Sequence, residues 1–412
     1  MRILHTSDWH IGATLYSRKR YDETEKFLAW LIGVIQDEAI DALLVPGDIF
    51  DTSTPSYQSQ TLYYGFLNDV SRKTGCRQVV ITSGNHDSPS FLDAPKPLLK
   101  AMNVHVVGSV CDAQDEVIEL KDAAGVTKAI VCAVPFLRER DVRFSEEGES
   151  PEQKEDNLVK GIVEHYREVY VKACQRSEAV GHPVPVIGMG HLFLAGATIY
   201  KRDGAVAAER DLYVGNLGQV PAERLPLFDY FALGHLHIAQ CVARNEAIRY
   251  SGAPLVMNFD EINRKRCVYA VDITPGQCVV KTLEVPAFRQ FRRVKGDWSS
   301  IEADLQHLKT EAFEGWVEVI YEGRETISDL RERVAAMVEN SRIDVLKIQN
   351  TLLYNAIIRE FEKEEALEDL SVKEVFRRRL RQANKTEAEM VELEKLFDEI
   401  ALSLQNQENL VR

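Results

Sequence analysis

The sequence contains no long apolar run. No stretch of the 412-residue chain approaches the roughly 18 consecutive apolar residues that a membrane-spanning helix needs. The chain opens on Met1-Arg2-Ile3-Leu4, which enters a strand at once and does not read as a signal peptide. We therefore expect a cytoplasmic protein.

Cysteine pairs and an excess of positive charge are also missing. The 7 cysteines include no Cys-x-x-Cys spacing, and an odd number fits no closed disulfide framework, so we expect reduced thiols. Asp and Glu number 64 against 50 Lys and Arg, for a net charge of −14. This balance weighs against a nucleic-acid surface that covers the whole chain, but local basic patches or bound divalent cations could reverse it.

The composition that remains is that of an ordinary globular protein, with 45% hydrophobic and 28% charged residues. The length favours two or three domains. Near the N-terminus, a strand from Arg2, a helix with one apolar face over 27–35 and the apolar run 42–45 spell a βαβ unit. In such units the chemistry lies at the carboxyl ends of the strands.

Metal-type ligands follow the ends of the predicted strands. They are Asp8 and His10, then Asp48, then Asn85 with His86 and Asp87, then His191, and finally His235 with His237. Asp8 and His10 are two residues apart, as are His235 and His237. In extended backbone such pairs point the same way, so we expect each pair to reach a common point.

Other segments give coarser expectations. The acidic stretch 146–157 carries Pro151 and is expected to be an exposed loop. From about Leu283 the pattern predicts a βαβαβ module, in which Ser299 and Glu302 have the spacing of a capping box at a helix start. The tail predicts a two-helix hairpin too small to be stable alone, which must dock on another protein or on its own domain.

The ligand set predicts a reaction class. Asp8, His10, Asp48, Asn85, His191, His235 and His237 are more ligands than one ion needs, but they suit two ions that share a bridging carboxylate, for which we choose Asp48. Two such metals favour phosphoester hydrolysis by in-line displacement. Without cysteine, the set suits Mn, Fe or catalytic Zn. His86 is surplus to the ligands and is predicted to be a general acid, oriented by a carboxylate such as Asp87.

These motifs resemble a known family. Asp-x-His, Gly-Asp, Gly-Asn-His-Asp, Gly-His and Gly-His-x-His, in that order, are similar to the motifs of calcineurin-like metallophosphoesterases over about the first 275 residues. Within that superfamily, segments 5–12, 46–51, 232–237 and 370–376 resemble the SbcD family, the nuclease subunits of bacterial SbcCD complexes.

The resemblance implies an α/β fold, a four-layer αββα sandwich with a small βαβαβ capping domain and a C-terminal helical hairpin. The implied domains are a nuclease domain over 1–278, a DNA-capping domain over 279–352 and a segment over 353–412 that binds the coiled coil of an SbcC-type ATPase. It implies two Mn²⁺ ions, one held by Asp8, His10, Asp48 and His237 and the other by Asp48, Asn85, His191 and His235.

The same resemblance implies partners and activities. Family members form homodimers and, with two copies of the SbcC-type SMC-like ATPase, heterotetramers that act at the nucleoid. They degrade double-stranded DNA ends 3′ to 5′ and open hairpins endonucleolytically in DNA repair, recombination and replication. ATP is hydrolysed by the partner, which agrees with the lack of a G-x-x-x-x-G-K-[ST] P-loop in this sequence.

Two alternatives remain open: a phosphatase or small-molecule phosphodiesterase with the same metals, and a non-enzymatic scaffold for the partner. Several basic groups are candidate phosphate contacts, although charge runs are usually solvated surface. These groups are Arg18-Lys19-Arg20, Arg138 with Arg140 and Arg143, Lys201-Arg202, and Arg289 with Arg292, Arg293 and Lys295. His5, His105, His165, His182 and His307 lack motif settings and are expected to be structural or solvated.

Overall fold

The computed structural model describes residues 1–142, 148–197, 219–325 and 327–351. The chain divides into two compact units. The first comprises residues 1–293, 313–317 and 341–347, and the second comprises 294–312, 318–340 and the residues from 348 onward. None of the helices in the described ranges combines the length and the apolar composition that a membrane-spanning segment requires.

The elements follow one another closely along the chain. Strands β1 to β8 are Arg2–His5, Thr14–Leu15, Arg18–Lys19, Ala42–Pro46, Gln78–Thr82, Val104–Val107, Val117–Lys121 and Thr127–Ala133. Strands β9 to β16 are Val186–His191, Leu194–Ala195, Val220–Pro221, Tyr230–Gly234, Gln240–Val242, Asn245–Tyr250, Cys267–Thr274 and Gln277–Glu284. Helices α1 to α6 are Tyr21–Asp37, Tyr57–Lys73, Pro89–Asp93, Lys96–Lys100, Glu139–Val142 and Pro151–Ala179.

Two six-stranded sheets form the centre of the first unit. One has the order β16-β15-β1-β4-β5-β6 and the other β13-β14-β12-β9-β8-β7. In the first sheet β1, β4, β5 and β6 run parallel, and in the second β8, β9, β12 and β14 run parallel. The carboxyl ends of the strands that precede the metal-type ligands therefore lie at one edge of each sheet.

The strand alternation builds four layers. Ile3 and Leu4 point to opposite faces of β1. Ile3 joins a core that includes Leu44 of the first sheet and Ile187 of the second, so this core lies between the sheets. Leu4 joins a core with the apolar faces of α1 and α2. The outer face of the second sheet packs on α6. The predicted αββα sandwich is confirmed.

Two predicted helix starts are wrong. Residues 151–157 are not a loop, because α6 begins at Pro151, where proline's missing N–H costs nothing, and Ser150 and Gln153 form a capping box. Further along, helix α7 (Trp298–Thr310) is capped by Asp297, whose carboxylate accepts a hydrogen bond from the Ser300 N–H at 2.9 Å. The Asp297 carboxylate thus takes the capping position ahead of the predicted Ser299 box.

The predicted βαβαβ pattern is present. Strand β17 (Gln290–Gly296), helix α7, strand β18 (Gly315–Tyr321), helix α8 (Leu330–Val338) and strand β19 (Ile343–Asn350) follow in that order. The three strands form one sheet in the order β17-β18-β19. The predicted C-terminal hairpin lies outside the described residues.

Candidate metal centre

Several of the candidate ligands have a left-handed backbone conformation. Asp8, His10 and Asp48 have φ values of 53°, 44° and 51°, and His235 has 100°. The extended backbone expected at Asp8 and His10 is therefore wrong, since both residues are left-handed, but their ligand atoms reach a common point as predicted, within 4.8 Å of each other. Such conformations cost roughly 1 to 3 kcal/mol each in non-glycine residues and cluster at functional sites.

Backbone hydrogen bonds join the loops that carry these residues. The Asp8 N–H donates to the Gly47 carbonyl at 3.1 Å, and the His10 N–H donates to the Asp48 carbonyl at 3.0 Å. The 84–87 loop lies directly against them: a Cβ at Gly84 would come within 2.1 Å of Asp48 Oδ1. Only glycine at position 84 lets the two loops approach this closely.

Asp8, His10 and His237 form the first cluster of ligand atoms, all within 4.8 Å of one another. The Nε2 atoms of His10 and His237 lie 3.1 Å apart, and His10 Nε2 is 3.5 Å from Asp48 Oδ2. On its other side, His10 Nδ1 is 3.5 Å from Asp51 Oδ1. A carboxylate behind a ligating imidazole is a common arrangement around metals, because it orients the ring.

Asp48 and His191 lead the second cluster. His191 Nε2 is 3.3 Å from Asp48 Oδ2 and 2.9 Å from Asn85 Oδ1, and His235 Nδ1 is 3.1 Å from the same Asn85 oxygen. His191 Nδ1 lies 3.1 Å from the Pro46 carbonyl, which can only accept, so Nδ1 carries a hydrogen. His191 therefore turns Nε2 toward the carboxylate and amide oxygens.

The charges of the centre act on one another at close range. Burial raises the pKa of Asp8 to about 6. Burial would also raise the pKa of Asp48, but the charge and hydrogen bond of His191, together with the charges of His10 and His86, outweigh burial and hold that pKa well below its ordinary value. Burial lowers the pKa of His235 to about 3 and that of His237 well below its usual value. These two rings are thus neutral, and their lone pairs are available to a cation.

The residues fit a divalent metal pair. The buried Nε2 of His235 has no hydrogen-bond partner, and two neighbouring imidazole nitrogens, His10 Nε2 and His237 Nε2, face each other. Buried polar groups left in this state call for an unseen partner. The donors are carboxylate, amide and imidazole, which suit Mn, Fe or catalytic Zn. All seven predicted ligands meet in this region. Asp48 shares one group of ligand atoms with His10 and His86 and another with Asp8 and His191.

His86 lies beside the ligands with a partner different from the one predicted. The centroid of its ring is 4.9 Å from that of the His10 ring, and its Nδ1 is 3.0 Å from the Asp51 carbonyl oxygen. The Asp87 carboxylate does not orient it. That carboxylate is buried and accepts hydrogen bonds from the N–H groups of Ile49, Phe50 and Gly84 at 3.1, 2.9 and 2.8 Å. Asp87 is therefore tied to the backbone of the two ligand-bearing loops.

Sequence reasoning missed three residues behind the ligands. Asp51 supplies both the carboxylate near His10 and the carbonyl near His86. The Ser7 hydroxyl donates to Asp8 Oδ2 and lies 2.7 Å from the Ser251 hydroxyl. Ser7 adjoins Asp8 and Asp51 lies three residues after Asp48, which was the available signal, but Ser251 is 243 positions from Asp8 and carried none.

Most of the candidate phosphate contacts that the structure describes are engaged with carboxylates. Arg20 Nη2 lies 2.8 Å from Glu23 Oε2, and Arg289 Nε lies 2.9 Å from Glu23 Oε1. Arg293 Nη2 lies 2.6 Å from Asp260 Oδ1. Arg18 is 3.7 Å from Asp344 and Lys295 is 3.0 Å from Glu322. Arg143 and Lys201-Arg202 lie outside the described residues.

The five other histidines lie outside the metal clusters found in the described part of the chain. His5 is buried, with Nδ1 at 2.9 Å from the Tyr230 hydroxyl, and burial lowers its pKa to about 3. His165 Nε2 is 2.8 Å from the buried carboxylate of Glu116. His105 and His182 contact Gln78 and the Thr127 carbonyl, and His307 is exposed beside Glu311. Structural or solvated roles fit all five.

Family models match most of the chain. Residues 1–239 match the model described as calcineurin-like phosphoesterase. Residues 287–384 match the model described as type 5 capsule protein repressor C-terminal domain. The first match contains every candidate metal ligand.

Curated relatives extend the similarity. The chain is 35% identical over 401 residues to the SbcD subunit of the nuclease SbcCD from Escherichia coli strain K12, which covers 96% of this chain and 97% of that protein. It is 36% identical over 283 residues to the SbcD subunit from Rhodobacter capsulatus, covering 67% of each chain. It is 33% identical over 281 residues to the one from Bacillus subtilis strain 168, again covering 67% of each.

Proposed function

The chain belongs to the calcineurin-like phosphoesterase family and, within it, to the family of SbcD subunits of the nuclease SbcCD, and from this premise we propose that it is a metal-dependent DNA nuclease. The proposed reaction is two-metal hydrolysis of DNA phosphodiesters, with 3′ to 5′ exonuclease activity on double-stranded ends and endonuclease activity on hairpins. The observation that carries the proposal is the meeting of all seven candidate ligands at one place in a chain that aligns with this family almost end to end.

The proposed metals are two Mn²⁺ ions that share Asp48. Asp8, His10 and His237 would complete one ligand set, and Asn85, His191 and His235 the other. When bound, such a pair supplies positive charge that lowers the pKa of a water molecule toward neutrality and draws the attacking and leaving oxygens into line.

The chain's own contribution begins with rigid placement of these side chains. The Pro46 carbonyl fixes the ring of His191, and the Asp51 carboxylate lies behind that of His10. The Asp8 Oδ1 atom accepts the His235 N–H at 2.8 Å, which joins the first sheet's ligand loop to the second sheet's. Ligands held in this way need little rearrangement when substrate arrives, which is the basis of electrostatic preorganisation.

His86 is the proposed general acid. The Asp51 carbonyl accepts from Nδ1, so Nε2 is the ring atom left to deliver a proton to the leaving oxygen. The side chain is half-buried and so remains open to substrate. A positioned proton donor of this kind contributes roughly 10²- to 10⁴-fold to the rate.

The proposed partners are an SbcC-type SMC-like ATPase, double-stranded DNA ends and hairpins, and a second copy of this chain. The ATPase would bind residues 353–412, which lie outside the described residues, and residues 279–352 would cap the DNA. ATP hydrolysis is assigned to the partner, since the sequence carries no P-loop motif. The complex would act in DNA repair, recombination and replication.

The full chain should be tested on linear duplex and hairpin DNA, with Mn²⁺ against Mg²⁺ and with and without the ATPase partner. Bis-p-nitrophenyl phosphate serves as a small phosphodiester in parallel. We expect Mn²⁺-dependent cleavage of both DNAs, stimulated by the partner and ATP. Hydrolysis of the small substrate without action on DNA under any of these conditions would instead indicate a small-molecule phosphodiesterase.

A further inference from the structure

Arg138 differs from the other arginines with buried or half-buried guanidinium groups near the ligand loops. Each of those arginines is paired with a carboxylate: Arg20 and Arg289 with Glu23, Arg266 with Glu261 and Arg293 with Asp260. The guanidinium of Arg138 forms no ion pair with any carboxylate of the described residues; its partners there are a carbonyl and an aromatic ring.

The surroundings of Arg138 fix its position at the metal centre. Its Nη2 donates to the Asp87 carbonyl at 3.3 Å, one residue after His86. Its Cζ lies 5.5 Å from the centroid of the Phe136 ring, and that ring is 6.0 Å from the ring of His191. The guanidinium is thus held next to the 84–87 loop, on the side of the centre where His86 and His191 lie.

The guanidinium has unused capacity for an anion. Arginine carries five N–H donors in a planar fork. Within the described residues, only Nη2 of this guanidinium donates a hydrogen bond, and the acceptor is the Asp87 carbonyl. Partial burial of an unpaired cation is costly, and burial lowers the pKa of Arg138 from its ordinary value. A phosphate oxygen would repay that cost, because Arg pairs with phosphate through short, charge-assisted hydrogen bonds.

We propose that Arg138 is a catalytic residue that binds a non-bridging oxygen of the phosphodiester at the metal centre, on the side of His86. This inference rests on the proposed function. A phosphodiester whose leaving oxygen takes a proton from His86 would lie beside the 84–87 loop, where the Arg138 guanidinium is bonded to the carbonyl of the residue after His86. Arg138 then adds positive charge where negative charge grows as the bond to the leaving oxygen breaks.

The test compares Arg138→Gln, Arg138→Lys and Arg138→Ala with Arg167→Gln in the full-length protein. Arg167 is the matched control, since it lies in α6, its side chain is 57% exposed and its Nη1 pairs with Glu164 Oε2 at 2.7 Å. Four quantities are measured: metal content, kcat and KM for bis-p-nitrophenyl phosphate with Mn²⁺, cleavage of linear duplex DNA, and the affinity of the Mn²⁺-loaded protein for inorganic phosphate.

We expect Arg138→Gln to retain its metals, to lose about 10²-fold in kcat/KM and to bind phosphate about tenfold more weakly. Arg138→Lys should recover only part of the rate, because a point charge does not reproduce the fork. Added guanidinium ion should partly restore Arg138→Ala, whereas Arg167→Gln should match the wild type. A purely structural role would not produce this rescue.

Three outcomes would overturn the proposal. Loss of metal together with activity in Arg138→Gln would show that the residue only supports the 84–87 loop. A change of less than threefold in kcat/KM, with the wild type active, would remove Arg138 from the reaction and leave the proposed function intact. A wild type that hydrolyses neither substrate overturns the proposed function and the role of Arg138 with it.

Discussion

A single methyl group at position 84 should disable the metal centre. In Gly84→Ala the new Cβ would lie 2.1 Å from Asp48 Oδ1 and 2.3 Å from the Asp48 backbone nitrogen, against 3.4 Å for ordinary contact. The 84–87 loop and the Asp48 carboxylate must therefore separate by about 1.3 Å. Neither neighbour can yield cheaply, because one is backbone and the other is a buried side chain bonded to the His86 N–H at 3.0 Å.

The expected consequences of Gly84→Ala are separable. Overpacking of this kind costs about 1 to 3 kcal/mol of unfolding free energy. A shift near 1 Å at a catalytic centre costs about 10²-fold in rate, and metal affinity should fall because Asp48 and Asn85 no longer share one site. Metal content is measured by elemental analysis, stability by urea unfolding and rate with bis-p-nitrophenyl phosphate.

Gly33→Ala is the matched control for this substitution. Gly33 lies inside α1, and a Cβ there would meet nothing within 4 Å. The same added methyl should stabilise the protein by roughly 0.5 to 1 kcal/mol through helix propensity, with unchanged metal content and rate. Full metal content and wild-type rate in Gly84→Ala would show that the two loops are not packed as described, and would refute the reasoning.

Three further substitutions test the roles assigned around Asp48, His86 and Asp87. Asp48→Ala should lose both metal ions, and two metals per chain in elemental analysis would disprove the shared ligand. His86→Gln should keep its metals and lose about 10²- to 10⁴-fold in kcat. Wild-type turnover in this variant would exclude a general acid role for His86. Lost activity with full metal content would exclude the alternative that the protein is a non-enzymatic scaffold. Asp87→Ala leaves three buried N–H groups without their acceptor, at about 1 to 3 kcal/mol each. It should lower the free energy of unfolding by several kcal/mol, whereas Asp69→Ala, which removes only a surface pair with Lys73, should change it by less than about 0.5 kcal/mol in urea unfolding.

The ligand positions could be predicted because they follow from strand ends. Asp8 comes shortly after the short strand that begins at Arg2, and Asp48 and Asn85 come shortly after continuous apolar runs. The parallel order of β1, β4 and β5 brings these segments side by side. Periodicity and adjacency along the chain are enough for this inference. The four-layer sandwich could be predicted because the order of the ligand motifs along the chain resembles that of the calcineurin-like metallophosphoesterases.

The details that failed depend on contacts distant in sequence. The left-handed backbone of Asp8 and His10 is supported by bonds to Gly47 and Asp48, about 40 residues away, and no local pattern announces it. Adjacency in the sequence predicts that Asp87 orients His86, yet the Asp87 carboxylate accepts hydrogen bonds from the N–H groups of Ile49 and Phe50. The predicted start of α7 is wrong for a local reason, since Asp297 competes with Ser299 for the same capping position.

The division of the ligands between the two sheets has a consequence for how the protein matures. The first sheet supplies four of the seven candidate ligands, from Asp8 to Asn85, and the second supplies His191, His235 and His237. A nascent chain therefore cannot complete the proposed ion sites until residues 235 and 237 have left the ribosome and the two sheets have stacked. Assembly of the metal centre therefore reports that the two sheets have stacked, and a chain that ends before residue 191 lacks all three candidate ligands of the second sheet.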